Sequence, residues 1–525
     1  MNGFVGRIKA NKRNILLCTL FFVCIFMAYN VFMKEIMTGD YMPGYINRGK
    51  PGTIGLTGVL VYGRFITIIT HYVYKCLWYL GVSHYSNAFV LQIIGMLFYA
   101  ISAAVIYLVF ERLVLTDRYV VRIFLFLSVL ISFVNPFMIE TYMYGALDWG
   151  LGILLSVTGF SLWTKKKYLP SVIFCFLGIT AYETNTFIIF ILISFFIYFE
   201  QIHNVQTLRK FAKRYILGGI FCVSIAAFDL FIQRLGIRIV NAINSSSDNT
   251  KQLTAIKQID TSSGIDKFFD MAVLDMKVVF TSYGMLPMGF TVISGLIIFA
   301  FVIYVWRKTK RIDILMIFII EVPVCIAAAF SLGLLGMYYA QRMLLSLFFL
   351  MSMLCLTPLV LYFHLYGEND GGRNYLRTYG AAIAGIFLVI YCCTETCITD
   401  AYIAQAVDRY EAKMIEREIE KYEKKSGKTI TTIASCGGYE SDIGGTNFSS
   451  EYLNHYRHTI PYTRITFYDW SQGQYINYVN DKNYEARLMT DDEIDRYFGW
   501  DETVGYFDPE EQLIFEDSTL FWRIY

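Results

Sequence analysis

FITIITHYVYKCLWYLGV, residues 65–82, is the stretch on which the topology of this chain turns. Its apolar content would let it pass for a transmembrane helix, which needs about 20 mostly apolar residues. Counted as a span, it inverts the sidedness of every loop that follows. Laid along the membrane surface as an interfacial amphipathic helix, it leaves that sidedness intact, with His71 and Lys75 expected toward water and the aromatic residues in the headgroup zone.

The basic clusters decide between the two readings. Spans are expected near 15–33, 87–110, 119–134, 147–163, 168–182, 184–199, 215–233, 287–305, 312–331, 343–363 and 378–396. The chain opens with Arg7, Lys9, Lys12 and Arg13 ahead of an apolar run too long for a typical signal sequence and lacking an A-x-A-like site, so an uncleaved first span is expected. With that end in the cytoplasm, every other loop is cytoplasmic. Those loops carry Arg112 and Arg118, TKKKY (164–168), LRKFAKR (208–214), WRKTKR (306–311), and Arg373 with Arg377. Cytoplasmic loops concentrate Lys and Arg. Residues 65–82 are therefore read as interfacial, and the expected fold is an α-helical polytopic membrane protein with about 11 spans, the N-terminus cytoplasmic and the C-terminus extracytoplasmic.

Composition agrees. Of 525 residues, 56% are hydrophobic and 17% charged, where soluble domains carry about 25% charged residues. Most of the 11 cysteines lie in apolar runs and none forms a metal-spaced CxxC pair, so neither a disulfide framework nor structural zinc is expected. The net charge of +2 gives no reason to expect a nucleic-acid partner.

Two regions are expected: a polytopic membrane domain over 1–396, with a first outer loop at 34–86 and a long one at 234–286, and a small extracytoplasmic α/β domain over 397–525. The second begins with a charged helical run, AYIAQAVDRYEAKMIEREIEKYEKKSGK. Alternating pieces read as strands follow, among them KTITTIAS, TRITFYDW, YINYV and STLFWRIY.

The outer loops collect charge. Asp40 and Arg64 flank a first loop with seven glycines between Thr38 and Phe65; Glu140 and Asp148 lie in NPFMIETYMYGALDWG, Glu183 in AYETN and Arg342 in MYYAQRML. A carboxylate there could take a proton from a sugar hydroxyl, and an arginine fork could hold a phosphate through paired N–H groups with its charge fixed at any working pH. Each has a plain structural alternative as a helix cap, a solvated charge or half of an ion pair. Glu321 and Asp229 lie inside expected spans, and a buried hydrogen bond or ion pair is the favoured reading for both.

The order of these features resembles the bacterial serotype-converting membrane glucosyltransferases, the Gtr type II family of the GT-C class. Carrying the likeness are Asp40 in the first outer loop, Gly63-Arg64 some two dozen residues later, the interfacial helix, NPFMIETYMYGALDWG, GITAYETN and the late QRMLL. The resemblance implies inverting transfer of glucose or a related hexose from a polyprenyl-phosphate donor to a cell-surface glycan, outside the cytoplasmic membrane. It implies Asp40 as general base, with Glu140 or Asp148 as substitutes because Gly39 stands where members often have a second acid. Arg64 and Arg342 become the donor-phosphate ligands, with Glu183 in the same substrate-binding group. No P-loop or dinucleotide fingerprint is present, and no metal or other cofactor is expected.

Three other classes fit a many-spanning chain with charged outer loops. A polysaccharide polymerase or ligase would place its reactive element in a large late loop. A transporter or flippase for lipid-linked sugar would show inverted repeats and polar residues through the membrane core. A non-catalytic scaffold would use the Tyr-rich C-terminal region for binding.

Overall fold

A computed structural model describes residues 2–33, 46–47, 50–51, 64–114, 118–203, 207–243, 273, 276–330, 344–367, 372–436, 471–499 and 507–524. Helices dominate: α1 (Asn2–Met33), α2 (Ile66–Tyr79), α3 (His84–Val114), α4 (Tyr119–Leu130), α5 (Met138–Thr164), α6 (Tyr168–Ile179), α7 (Asn185–His203), α8 (Leu208–Ile243), α9 (Phe290–Thr309), α10 (Ile312–Phe330), α11 (Ser346–Tyr366) and α12 (Arg373–Ser426). Eight of the described helices are long and apolar enough to cross a membrane, and the chain is a helical membrane protein. Segment 65–82 yields the 14-residue α2. At 1.5 Å per residue it is about 21 Å long, short of the roughly 30 Å hydrocarbon core.

Lipid is as apolar as leucine, so helices in a membrane associate by close fit rather than by burial from water. Helix α5 shows this on two sides. A Cβ added at Gly150 would lie 2.6 Å from the carbonyl oxygen of Gly95 on α3. One at Gly152 would overlap Ala181 and come within 2.9 Å of Asn185 Nδ2; one at Gly159 would overlap Cys175 of α6. From the α6 side, Gly178 has no room for a methyl against Ser156 and the Gly152 carbonyl. One hydrogen bond crosses the α5–α6 seam, Ser171 Oγ donating to the Gly159 carbonyl, and another closes the turn from α6 to α7, Asn185 Nδ2 donating to the Gly178 carbonyl, each at 2.8 Å.

The basic loops meet at one end of the bundle. Glu111 accepts from Arg13 at 3.3 Å and lies 3.8 Å from Arg122, joining α1, α3 and α4. Arg118 donates to the Tyr362 hydroxyl at 2.9 Å. Arg311 pairs with Asp313 at 2.6 Å and donates to the carbonyls of Gln201 and Ile202 at the end of α7. These carbonyls are orphans of a helix C-terminus, and the guanidinium satisfies them. The two acids expected inside spans are both buried. Asp229 accepts from Gln233 at 2.7 Å, and Cys325 Sγ lies 3.7 Å from Glu321.

Three expectations change. His71 does not face water: it is 2% exposed, on the buried side of α2 with Thr70 and Tyr74, and Lys75 is half-buried. Ile69, Tyr72 and Tyr79 point outward instead. The polar face of α2 packs on α3 and α5, which offer polar partners that lipid lacks. Second, α8 runs on to Ile243, so helix occupies the first ten residues of the segment expected as a loop from 234. Third, YINYV is helical, within α13 (Gln472–Asn480), with Tyr475, Ile476 and Tyr478 buried. A five-residue apolar piece does not separate strand from helix by period alone.

The C-terminal residues build a four-stranded sheet from β3 (Thr432–Cys436), β4 (Glu485–Leu488), β5 (Leu513–Glu516) and β6 (Thr519–Arg523), in the order β4-β3-β6-β5. Strand β3 is parallel to both neighbours, and β5 and β6 form an antiparallel hairpin. Its core is not separate from the bundle. Ile433, Leu520, Trp522 and Ile476 share one buried cluster with Tyr74, Ala88, Leu91 and Leu147. Helix α12 crosses the expected boundary at 396 without a break. Two further short strands, β1 (Ile46–Asn47) and β2 (Lys50–Pro51), pair antiparallel.

Gly178→Ala and Gly150→Ala should each cost about 1–3 kcal/mol through overpacking, read as a lower thermal midpoint of the purified protein. Gly219→Ala, where an added Cβ meets nothing within 4 Å, should leave the midpoint unchanged or raise it.

Candidate active site

In the half of α5 away from the basic loops, three segments bring charge and aromatic rings together. Asp148 stands 16 residues before the end of α5 at Thr164, about 24 Å along the axis. Its Oδ1 accepts a hydrogen bond from Thr70 of α2. The next residue, Trp149, lies against Tyr182 with ring centroids 3.9 Å apart. Arg64, just ahead of α2, stacks its guanidinium over the other partner of that pair, 4.7 Å from the Tyr182 ring centre. The same guanidinium reaches Glu183 at 3.7 Å.

The sequence explains why these groups meet. Gly150 and Gly152 draw α5 to backbone contact with α3 and with the α6–α7 junction, and this sets Asp148-Trp149 beside Tyr182-Glu183. The α6–α7 junction is a tight turn in which Thr184 and Asn185 are fully buried. Helix α2 then lays Thr70 on Asp148, six residues after Arg64. Arg64 and Glu183 keep side-chain exposures of 28% and 19%, so the ion pair is reachable by a ligand.

Of the six residues expected to form the site, three converge: Arg64, Asp148 and Glu183. Glu140 does not join them. It is fully buried in the first turn of α5, eight residues before Asp148, about 12 Å along the helix. Asp40 and Arg342 lie outside the described residues. Thr70, Trp149 and Tyr182 were missed by reading charges alone. A signal was present in the sequence, since both acid motifs place an aromatic directly beside the acid, Asp148-Trp149 and Tyr182-Glu183.

Chemically, the assembly offers a carboxylate oriented by a hydroxyl, a guanidinium held by a carboxylate and a ring, and an indole–phenol pair between them. Aromatic faces of this kind pack against the C–H surfaces of a sugar, and a braced guanidinium can take a phosphate oxygen. Among the described residues no three His, Cys, Asp or Glu side chains gather as a metal-ligating group.

Fold and site together define a polytopic membrane protein with a charged, aromatic-lined site at one end of its helix bundle. The chain belongs to the family described as glucosyl transferase GtrII, whose model matches residues 43–359, and is a glycosyltransferase with sugar donor and acceptor substrates. Arg64, Asp148 and Glu183 all fall within the match, while α12 and the C-terminal sheet follow it. No curated protein and no solved structure matches the chain.

Arg64→Lys keeps the charge but loses the planar fork and the stack on Tyr182. It should lower the transfer rate by about 10²–10³-fold, the loss expected for one charge-stabilising donor, with the thermal midpoint unchanged. Glu183→Gln, which leaves Arg64 less well oriented, should give a smaller loss in the same assay.

Proposed function

We propose that this protein moves a single sugar, glucose or a related hexose, from a polyprenyl-phosphate donor to a cell-surface glycan on the extracytoplasmic face, with inversion at the anomeric carbon. The observation that carries the reading is the Arg64–Glu183 pair beside Tyr182, Trp149 and the Thr70-bound Asp148. In this reading an acceptor hydroxyl attacks the anomeric carbon and gives its proton to Asp40. The carbon–oxygen bond to phosphate breaks as the glycosidic bond forms. Arg64, with Arg342, stabilises the charge growing on the departing phosphate. Positioned general-base catalysis contributes about 10²–10⁴ in rate.

Asp148 is the stronger substitute for Asp40. It sits with Thr70, directly before the Trp149 that packs on Tyr182, whereas Glu140 is buried in the first turn of α5. If Asp40 is the base, Asp148 orients a sugar hydroxyl.

The lipid-linked donor is supported by an apolar groove of about 970 Å³, counting its open side, between α9, α10 and α11. Among the described residues no charged one lines it, and of the two hydroxyls they bring to it that of Thr291 is spent on the Val279 carbonyl. Phe137, three residues before Glu140, borders it. Leu347 and Phe348, also in its wall, follow Arg342 by five and six residues. A chain lying there would bring its phosphate toward the outer loops. The sidedness is supported by the gathering of Arg13, Arg118, Arg122 and Arg311 at the opposite end. A GT-C-like arrangement of about 11 spans, with α2 on the outer surface and 397–525 as an extracytoplasmic domain, completes the proposal.

Mass analysis of surface glycans tests the function in an intact strain, a deletion, and deletions complemented with well-expressed Asp40→Asn or Asp148→Asn. Loss of one sugar per repeat in the deletion and in the Asp40→Asn strain is expected. Restoration by Asp40→Asn but not by Asp148→Asn would move the base to Asp148. Altered chain length at unchanged composition would favour a polymerase or ligase; no change in any glycan would favour a transporter or scaffold.

The groove is tested separately. Gly295 lines it, and an added Cβ there meets nothing within 4 Å, which leaves a larger side chain free to extend into the groove. Gly295→Phe should therefore raise KM for polyprenyl-phosphate glucose without unfolding the protein. An unchanged KM would place the lipid chain elsewhere.

A further inference from the structure

Helix α2 is held at two successive turns of one face, and behind the second contact stand residues from beyond the family match. One turn after Thr70, on the same face, Tyr74 is fully buried, with its hydroxyl 2.5 Å from His84 Nδ1 and its carbonyl accepting from Asn87 Nδ2 at 2.8 Å. Tyr74 belongs to the buried cluster that contains Tyr475 and Tyr478 of α13 and Leu147, the residue before Asp148. Tyr478 lies 5.5 Å from the ring of Tyr85, at the start of α3, and stacks with Tyr475 at 6.0 Å. Helix α13 is itself fixed. Asn477 exchanges two 2.8 Å hydrogen bonds with the Tyr484 backbone, and Asn480 donates to the Ala412 carbonyl on α12 at 3.0 Å.

A continuous line of packed groups thus runs from α12 through α13 to Tyr74, and one helical turn further to the Thr70–Asp148 hydrogen bond. We propose that the C-terminal unit is a positioning element for the transfer site, and that Tyr475 and Tyr478 are its positioning residues. They hold α2 in register, so that Thr70 meets Asp148 and Arg64 meets Glu183. The proposal rests on the reading of that site given above. The physical reason lies in α2 itself. A 14-residue helix lying against a bundle has too few turns to hold its own register, and a misplacement of about 1 Å at a reacting centre can cost about 10²-fold in rate. The apolar groove is walled mainly by α9, α10 and α11, none of which belongs to this line, so loosening α2 spares the seat of the lipid chain and acts on the groups around the reacting phosphate.

The test uses the full-length protein in vesicles, with polyprenyl-phosphate glucose as donor and surface glycan from the deletion strain as acceptor. Tyr478→Ala should lower kcat about 10–100-fold, with any rise in KM for the donor smaller than the fall in kcat, while Tyr478→Phe, which keeps the ring, should retain wild-type kcat. Thr70→Ala, which removes only one of the two contacts that the register of α2 secures, should show a smaller kcat loss, and the double variant Tyr478→Ala/Thr70→Ala should be no slower than Tyr478→Ala alone, because loss of register already removes the Thr70–Asp148 contact. A Tyr478→Ala protein with a lower thermal midpoint but wild-type kcat per folded molecule would reduce the C-terminal unit to a stabilising part and overturn the proposal. Losses that multiply in the double variant would overturn it as well. Asp148→Asn, measured alongside, separates the two levels. If it is fully active the site reading itself fails, whereas if it is inactive and Tyr478→Ala turns over normally, the site stands and the positioning role falls.

Discussion

Backbone contact between helices, allowed by missing side chains, is the constraint from which the rest of this molecule follows. In lipid no hydrophobic force gathers the helices, so α5 is held by how closely it approaches its neighbours. Gly150 meets Gly95, Gly152 meets Ala181 and Asn185, and Gly159 and Gly178 close the α5–α6 seam. These contacts fix both the rotation and the height of α5. Asp148 and Trp149 precede the first of these glycines, so their placement beside Tyr182 and Glu183 is a direct product of that packing.

The same solvent accounts for the orientation of α2. An amphipathic helix on a soluble protein turns its apolar face inward. Here Thr70, His71 and Tyr74 are buried together with Ile66, and Ile69, Tyr72 and Tyr79 are outside. A polar group facing lipid finds no partner, whereas one facing α5 finds Asp148. That orientation is what delivers a hydroxyl to the carboxylate, with Tyr72 and Tyr79 left on the outer face of α2.

The C-terminal sheet extends this logic beyond the bundle. Its cluster takes in Leu147 and Tyr74 from the membrane helices and Ile415 and Ile419 from the distal half of α12, so one apolar core spans both regions. The unbroken 54-residue α12 ties the end of the bundle to that core as a single rod. A site assembled from α2, α5 and the α6–α7 junction therefore adjoins two packed regions, the glycine seams of α5 and the cluster that holds Tyr475 and Tyr478.

Much of the fold was legible in the sequence because membrane helices are local objects. Length and apolar content mark them, and the basic loops order them, since each depends on a short window of residues. Arg64, Asp148 and Glu183 were legible as charges at helix ends for the same reason. The partners of those charges were not. That Glu140 is sealed while Asp148 meets Thr70 depends on the rotation of α5, which its neighbours set. That YINYV is a helix depends on tyrosines finding Tyr74 and Tyr85 some four hundred residues earlier in the chain. The sequence by itself determined a helical membrane protein, the candidate charges and the family they suggest. Only the tertiary structure decided which charges meet, which face of α2 turns inward and what braces the site, because those outcomes rest on close contacts between segments that no local pattern encodes.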